Sequence, residues 1–489
     1  MNKFRARLLS VSGLMLGLLA TATPTYGNSL VNGIVIPGNT TDLSSGGSGA
    51  NLNRVGFFSD IYYDRTNNVY YGLGDRGPGG GLISYDTRVQ KFTLDVDKDT
   101  GAISNFQIVQ SILFTRNGEN FNGLNPLLLN GNTNTLGNSF DPEGFALAPN
   151  GNFYVSDEYG PSLYEFSPAG EFIRAFTTPD NLIPRQPDGT INYVDGRPTI
   201  TTGRQDNRGF EGLTISPDGS KLYATLQDPL VNEGDQGEGR RSRNVRIVEF
   251  DTATGASTGQ FIYQLESIDD INDRLPGTDD DFSVTAQGRS IGLSAITALG
   301  GNNFLVLERD NRGLGVDNPT ASVPVGSKRV YMISLAGATD VSGISLGGIN
   351  DLPTGVIPVK KDPTPFIDIA AEIGATGSQI AEKFEGLTVG PRLNDGTYAI
   401  ITGTDNDFSV TQTGAGEQFD VCTDGTTSAQ VGLGQPCPAG LSLLPGFLYS
   451  FKGGWNIESQ STPEPNTMAG LLLIGLGSIW ASSKGGRRQ

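Results

Sequence analysis

The sequence predicts an all-β chain of the β-propeller type, and three observations carry that expectation. A Gly-Phe or Gly-Leu pair recurs five times, at Gly56-Phe57, Gly144-Phe145, Gly212-Leu213, Gly292-Leu293 and Gly386-Leu387. Each copy continues through small and apolar residues to a turn and a second β-rich run. Glycine supplies 68 of the 489 residues, and apolar residues show almost no helical spacing. Short strands in repeated hairpins, not helices, produce such a pattern.

Taken in order, the chain begins with Lys3, Arg5 and Arg7, the apolar run "LLSVSGLMLGLLA" and the small residues of "TATPTYGNS". This is the three-part pattern of a secretory signal, with cleavage expected after Ala22 or Gly27. Residues 1–27 are therefore set aside as a signal peptide and 28–455 are taken as the propeller domain. "NSLVNGIVIP" follows at once and is a candidate strand to close the ring beside the last copy. The hairpin turns of the five copies are "DRTNN", "APNGN", "SPDGS", "LGGNN" and "PRLNDG", all built on Asn, Asp, Gly and Pro. Successive Gly positions are 88, 68, 80 and 94 residues apart, wider than the ~40–45 of a compact blade. Long inserted loops are expected, and six blades would fit as well as the five that can be counted.

"DVDKDTG" at 95–101 imitates a calcium loop, but its glycine falls one place late and Phe106 stands where the terminal glutamate belongs. It matches "DTATG" at 251–255, so a hairpin turn is expected for both. "DDFSVTAQG" at 280–288 and "NDFSVTQTG" at 406–414 are near copies, whose Asp281 and Asp407 read as ligands or as strand-end caps. Cys422 and Cys437 stand alone in a Gly/Thr/Pro-rich loop. In an exported chain such a pair is expected to be a disulfide, two unpaired thiols being the alternative.

A linker at 456–462 leads to Pro463-Glu464-Pro465, a mostly apolar run and then Lys484, Arg487 and Arg488. This order of parts resembles the PEP-CTERM sorting signal, which implies processing by an exosortase-type enzyme and transient membrane contact through the apolar segment of 463–489. A short tail anchor is the alternative, although the run falls near the lower limit of the ~20 residues that span a bilayer. Both readings place the body outside the cytoplasm, extracellular or at the cell envelope.

The net charge of −18 becomes more negative once the basic termini are removed. Nucleic acid is excluded as a partner, because duplex binding needs a positive footprint. With no histidine in the chain, a Ser-His-Asp triad and histidine-ligated zinc are impossible. "GISLG" at 343–347 matches a nucleophile-elbow pattern, but no imidazole exists to activate Ser345. Carboxylate chemistry with a hard cation remains, with arginines to neutralise developing charge.

Geometry supplies the candidates. In an antiparallel hairpin the start of the first strand and the end of the second lie at one edge. Glu143, Glu211 and Glu385 precede the Gly-Phe/Leu pairs, whereas Val55 and Ile291 take that place in copies one and four. Asp75, Asp157, Glu158, Asp228, Glu308, Asp310, Asp405 and Asp407 end the second strands, and Arg54, Arg76, Arg208, Arg289, Arg309, Arg312 and Lys383 recur nearby. All are expected to rim one face of the disc.

The segments "DPEGFALAPNGNFYVSDEYGPSLYEFSPAGEFI", "NRGFEGLTISPDGSKLYATLQDP" and "EKFEGLTVGP…AIITGTDND" resemble the phytase-like domain family, often labelled as having esterase-like activity of phytase. The resemblance extends over roughly residues 50 to 455. It implies a propeller with phosphoester or ester hydrolase activity, assisted by Ca²⁺, acting on a small phosphorylated or ester substrate. The expected metal ligands are Glu143, Asp157, Glu211, Asp228, Glu385 and Asp405, and the expected catalytic residues are Glu211, Arg208 and Arg289. The competing class is a non-catalytic propeller with purely structural calcium or ion pairs, binding a glycan, peptide or envelope partner; Tyr159 and Phe408 would then offer a sugar platform.

Overall fold

A computed structural model describes residues 28–44, 53–194, 199–414 and 416–455. The expected signal peptide, linker and sorting signal lie outside these residues. Among the described residues the α-helices are short, the longest being Ile369–Gly374, and none is long and apolar enough to cross a membrane.

Five antiparallel sheets of four or five strands organise the body. Their first strands are Asp60–Asp64, Pro142–Leu147, Phe210–Ile215, Ile291–Gly300 and Lys383–Arg392. Each of these strands touches the next, and Lys383–Arg392 returns to Asp60–Asp64, so the five form a closed ring. The remaining strands of each sheet step outward in hairpins, as in a propeller.

The last sheet is completed by the chain's own beginning. Ser29–Ile36 pairs antiparallel with Gly446–Gly453, placing Ser29 opposite Lys452 and Ile36 opposite Gly446. Gly446–Gly453 in turn lies beside Tyr398–Asp405. The strand expected from "NSLVNGIVIP" thus closes the ring by tying the start of the body to its end, as the outermost strand of the last sheet.

The recurring Glu-Gly unit has a local cause. The ladder register shifts between Pro142 and Phe145, between Phe210 and Leu213, and between Phe384 and Gly386. A bulge of this kind re-aims a side chain out of the normal alternation, and here the glutamate is the residue re-aimed. Glycine follows because the neighbouring ring strand comes too close for a side chain. A Cβ on Gly144 would lie 2.6 Å from the backbone nitrogen of Leu213, and one on Gly212 would lie 2.9 Å from Cα of Ala295.

Apolar residues between the sheets form the core, with Phe145, Phe210, Leu213, Ile296, Leu305 and Phe384 almost wholly buried. Polar side chains stitch the ring strands together. Asp60 accepts hydrogen bonds from the backbone of Ile61 and Phe145, both at 2.8 Å, and Thr214 accepts one from Ala298 at 3.0 Å.

The calcium-loop imitation at 95–101 and its match at 251–255 are both turns, Asp97 and Asp251 each accepting from backbone amides of its own loop. Ser345 is exposed in a loop and accepts from the Gly347 amide, with no strand-to-helix elbow around it. A further sheet, Val410–Gln412, Gln418–Thr423, Ser428–Gly432 and Ser442–Leu443, contributes no ring strand. It carries the Cys422–Cys437 disulfide, Cα–Cα 5.7 Å. Arg54, expected on the rim, is instead buried against this sheet, paired with Asp420 at 2.7 Å and donating to the Phe408 carbonyl.

Candidate functional site

The bulges and the ends of the second strands deliver carboxylates to one face of the ring. Three overlapping triads result: Asp75–Asp405–Asp407, Asp75–Asp141–Glu143 and Glu143–Glu158–Glu211. In each, one oxygen per residue lies within 4.8 Å of the others. Asp75 and Glu143 are each shared by two triads, so the acids form one continuous run.

The run changes character along its length. At one end Lys383 pairs with Asp405 at 3.0 Å and with Asp407 at 2.5 Å. In the middle Arg76 pairs with Asp141 at 3.3 Å. At the other end two arginines stand farther off. Arg208 reaches Glu158 only at 3.8 Å, and Arg309 reaches Glu211 only at 3.9 Å. Glu211 Oε1 accepts from Gln227 at 2.7 Å, while its Oε2 is buried with no partner. Glu143 makes no side-chain hydrogen bond or ion pair among the described residues, although it is 6% exposed.

Burial, with Glu211, Asp141, Glu158 and Glu385 nearby, pushes the Glu143 carboxyl well above its usual range. Burial and the charges of Glu158 and Glu385 do the same to Glu211, against the pull of Arg309 and Arg208. Asp75 is raised by burial and by Asp405 and Asp141. These donors are hard carboxylate oxygens, one of them buried and unsatisfied, which suits an oxygen-seeking divalent cation such as calcium.

Not every expected ligand joins a triad. Asp157 caps a turn: Oδ1 accepts from the amides of Asp141 and Tyr159, and Oδ2 from Gly160. Asp228 accepts from Arg208 Nε at 3.0 Å, and Glu385 pairs closely with Arg309. Arg289 donates to the Asp206 carbonyl at 3.2 Å. Glu308 is drawn away from the rim by Tyr263 and Lys361, Asp310 is neutralised by Lys328 at 2.6 Å, and Arg312 lies over the Phe282 ring. The near copies part company: Asp407 enters a triad, whereas Asp281 is exposed. Tyr159 and Phe408 are fully buried, so neither offers a sugar platform.

Asp141 was not singled out by sequence, although it stands two residues before Glu143, where Lys383 stands before Glu385. That swap of charge sign at one motif position was the available signal.

Ring, bulges and acidic face together define a β-propeller built around a rim of clustered carboxylates. Residues 53–408 match the phytase-like family, described as esterase-like activity of phytase, and the chain belongs to that family. An uncharacterized secreted protein of Arthroderma benhamiae is 31% identical over 317 residues, covering 56% of this chain and 59% of the relative. The chain thus spans about six-tenths of the length of that relative. Among solved structures, a luciferin-regenerating enzyme covers 82% of this chain and 95% of its own at 11% identity, TM-score 0.28. A streptogramin B lyase covers 86% and 99% at 12% identity, TM-score 0.29.

Proposed function

We propose that this protein is an exported, calcium-assisted hydrolase of small phosphoesters or esters, working on the carboxylate rim. The observation that carries the reading is the Glu143–Glu158–Glu211 triad, where three buried carboxylates meet, Glu143 forms no ion pair among the described residues and Glu211 Oε2 lacks a partner.

Glu143, Glu158 and Glu211 would hold the cation. When bound, it supplies positive charge that polarises an ester or phosphate oxygen. Gln227 fixes the Glu211 carboxylate by donating to Oε1. Arg208, anchored through Nε on Asp228, orients an anionic group beside Glu158 and offsets charge developing on it. Glu143, whose carboxyl is held well above its usual range by burial and the neighbouring acids, is suited to exchanging a proton at its carboxyl oxygen.

Export is supported by the disulfide, which suits an oxidising compartment, and by the relative described as secreted. The tail's resemblance to a PEP-CTERM signal supports handling by an exosortase-type enzyme after transient membrane contact. The second reading, a binding propeller with a structural rim, is favoured at the other end of the run, where Lys383 already neutralises Asp405 and Asp407.

The test is a calcium titration of purified protein, following thermal unfolding and hydrolysis of 4-nitrophenyl phosphate and 4-nitrophenyl acetate. Calcium should raise both stability and one of the two activities. If it changes neither, the rim is ion-paired scaffolding and the binding reading replaces this one.

A further inference from the structure

A second feature lies outside the rim. Where the short turn Gly239–Arg241 and the strand Asn244–Asp251 approach the helix Ile268–Asn272, a cavity of about 180 Å³ opens, lined by Arg241, Arg243, Ser267, Asp269, Gln287 and Asn350. None of the rim carboxylates lines it.

Arg241 and Arg243 are unusual in this molecule. Among the described residues, every other arginine side chain has a hydrogen bond or ion pair, from buried pairs such as Arg246–Glu233 to exposed ones such as Arg185–Asp180. Even Arg65, Arg204 and Arg392, which form no ion pair, donate to backbone carbonyls. Arg241 and Arg243 have neither kind of partner, and they face the same cavity. Arg243 Nε is shielded from solvent with no acceptor, a state that costs free energy unless something in the cavity accepts from it. That two unpaired guanidinium groups converge in a chain of net charge −18 sharpens the point.

Of the rest of the lining, Asn350 alone keeps a side-chain donor, its Nδ2, without an acceptor. The Gln287 amide is committed, accepting from Ile268 and donating to the Glu266 carbonyl. The Ser267 hydroxyl donates to Asp270. Asp269 is the one carboxylate in the lining, and it makes no ion pair with either arginine. The volume is many times the ~10–15 Å³ that one water needs, yet below the ~300 Å³ at which pockets begin to enclose a whole drug-sized ligand. It suits an end-group.

We propose that this cavity binds the oxyanion end-group of a small molecule, a phosphate or a carboxylate, through the guanidinium groups of Arg241 and Arg243. Planar guanidinium forks match both groups in geometry and charge. The site needs no calcium and does not depend on the hydrolase reading of the rim.

The experiment is a thermal-shift and calorimetric titration of the full protein with inorganic phosphate, and separately with acetate, in EDTA and at ionic strength held constant with chloride. One of the two anions should give a saturable response, and which one does so assigns the end-group. Arg241→Gln/Arg243→Gln should weaken it at least tenfold, Asp269→Asn should strengthen it, and the rim variant Glu211→Gln should leave it unchanged. Should the double variant prove unstable, Asp269→Asn alone still decides, because removing the opposing carboxylate matters only if an anion sits there. The proposal is overturned if neither anion exceeds the chloride control, so that water fills the cavity. It is equally overturned if saturation is the same in wild type and variants.

Discussion

Glu211→Gln should make the protein more stable without calcium and less responsive with it. The carboxylate of Glu211 lies within 4.8 Å of ligand oxygens on both Glu143 and Glu158. At an effective dielectric constant of about 20, each like-charged pair at that distance repels by about 3.5 kcal/mol. The pairing with Arg309 at 3.9 Å returns about 4 kcal/mol, leaving a net relief of about 3 kcal/mol. This is a ceiling, since burial and the neighbouring acids push the Glu143 and Glu211 carboxyls upward and so favour their uncharged forms. Glutamine keeps the shape and can still accept from Gln227, while its amide can donate toward the neighbouring carboxylates. With an unfolding entropy of about 2 cal/mol/K per residue, a body of this size converts the ceiling to a rise of about 3 °C in EDTA. Calcium at 100 times its dissociation constant should stabilise the wild type by about 2.7 kcal/mol and the variant much less. Differential scanning calorimetry with and without calcium reads both effects. A variant that is less stable in EDTA, yet gains as much from calcium as the wild type, would refute the reasoning.

Four further outcomes are expected. Arg208→Ala should preserve most of the calcium-dependent thermal shift but cut phosphoester hydrolysis at least tenfold, because Arg208 is assigned to the anion; loss of the shift itself would reassign it to the scaffold. Burial pushes Asp157 to about 7 and Asp407 to about 6, from an ordinary 3.8. Folded carboxyls with raised values bind protons more tightly than unfolded ones, so their contribution is complete below pH ~4 and is lost as pH rises to ~7; melting temperatures in EDTA should fall across that window. Cys422→Ser/Cys437→Ser should cost about 3 kcal/mol, the loop-closure value for a 15-residue separation, as measured by denaturant unfolding. Intact mass of protein from the native host should show a start near residue 23 or 28 and loss of the segment after Pro463-Glu464-Pro465; retention of Trp480 would contradict the sorting signal.

What the sequence made legible follows from local rules. Turn residues marked the hairpins, and the recurring Gly-Phe/Leu pairs with their β-rich runs marked the strands, so the propeller and its closing strand were readable before any contact was known. The carboxylates were readable only as strand-end addresses. Asp157 and Glu158 are adjacent, and one caps a turn while the other meets Glu211. That choice depends on where the neighbouring sheet places its amides and acids, which no local pattern encodes. Asp228 and Glu385 were lost to Arg208 and Arg309 for the same reason, their partners arriving from across a strand pair or from the next sheet. Arg54 was misplaced because the disulfide-bearing sheet inserted after Asp407 supplies Asp420, a partner 366 residues away.

The strand pairing that seals the ring also gives the molecule a top and a bottom. Ser29 lies opposite Lys452, and Gly453 lies opposite Tyr398, at the far end of the strand that finishes at Asp405. Both ends of the body therefore emerge through the floor of the disc, while the acidic run occupies its roof. A surface that grips the chain by residues beyond 455 grips it from below, and the roof then looks outward to solutes arriving from the medium. If the proposed function holds, tethering and substrate access would use opposite sides of the molecule and would not compete.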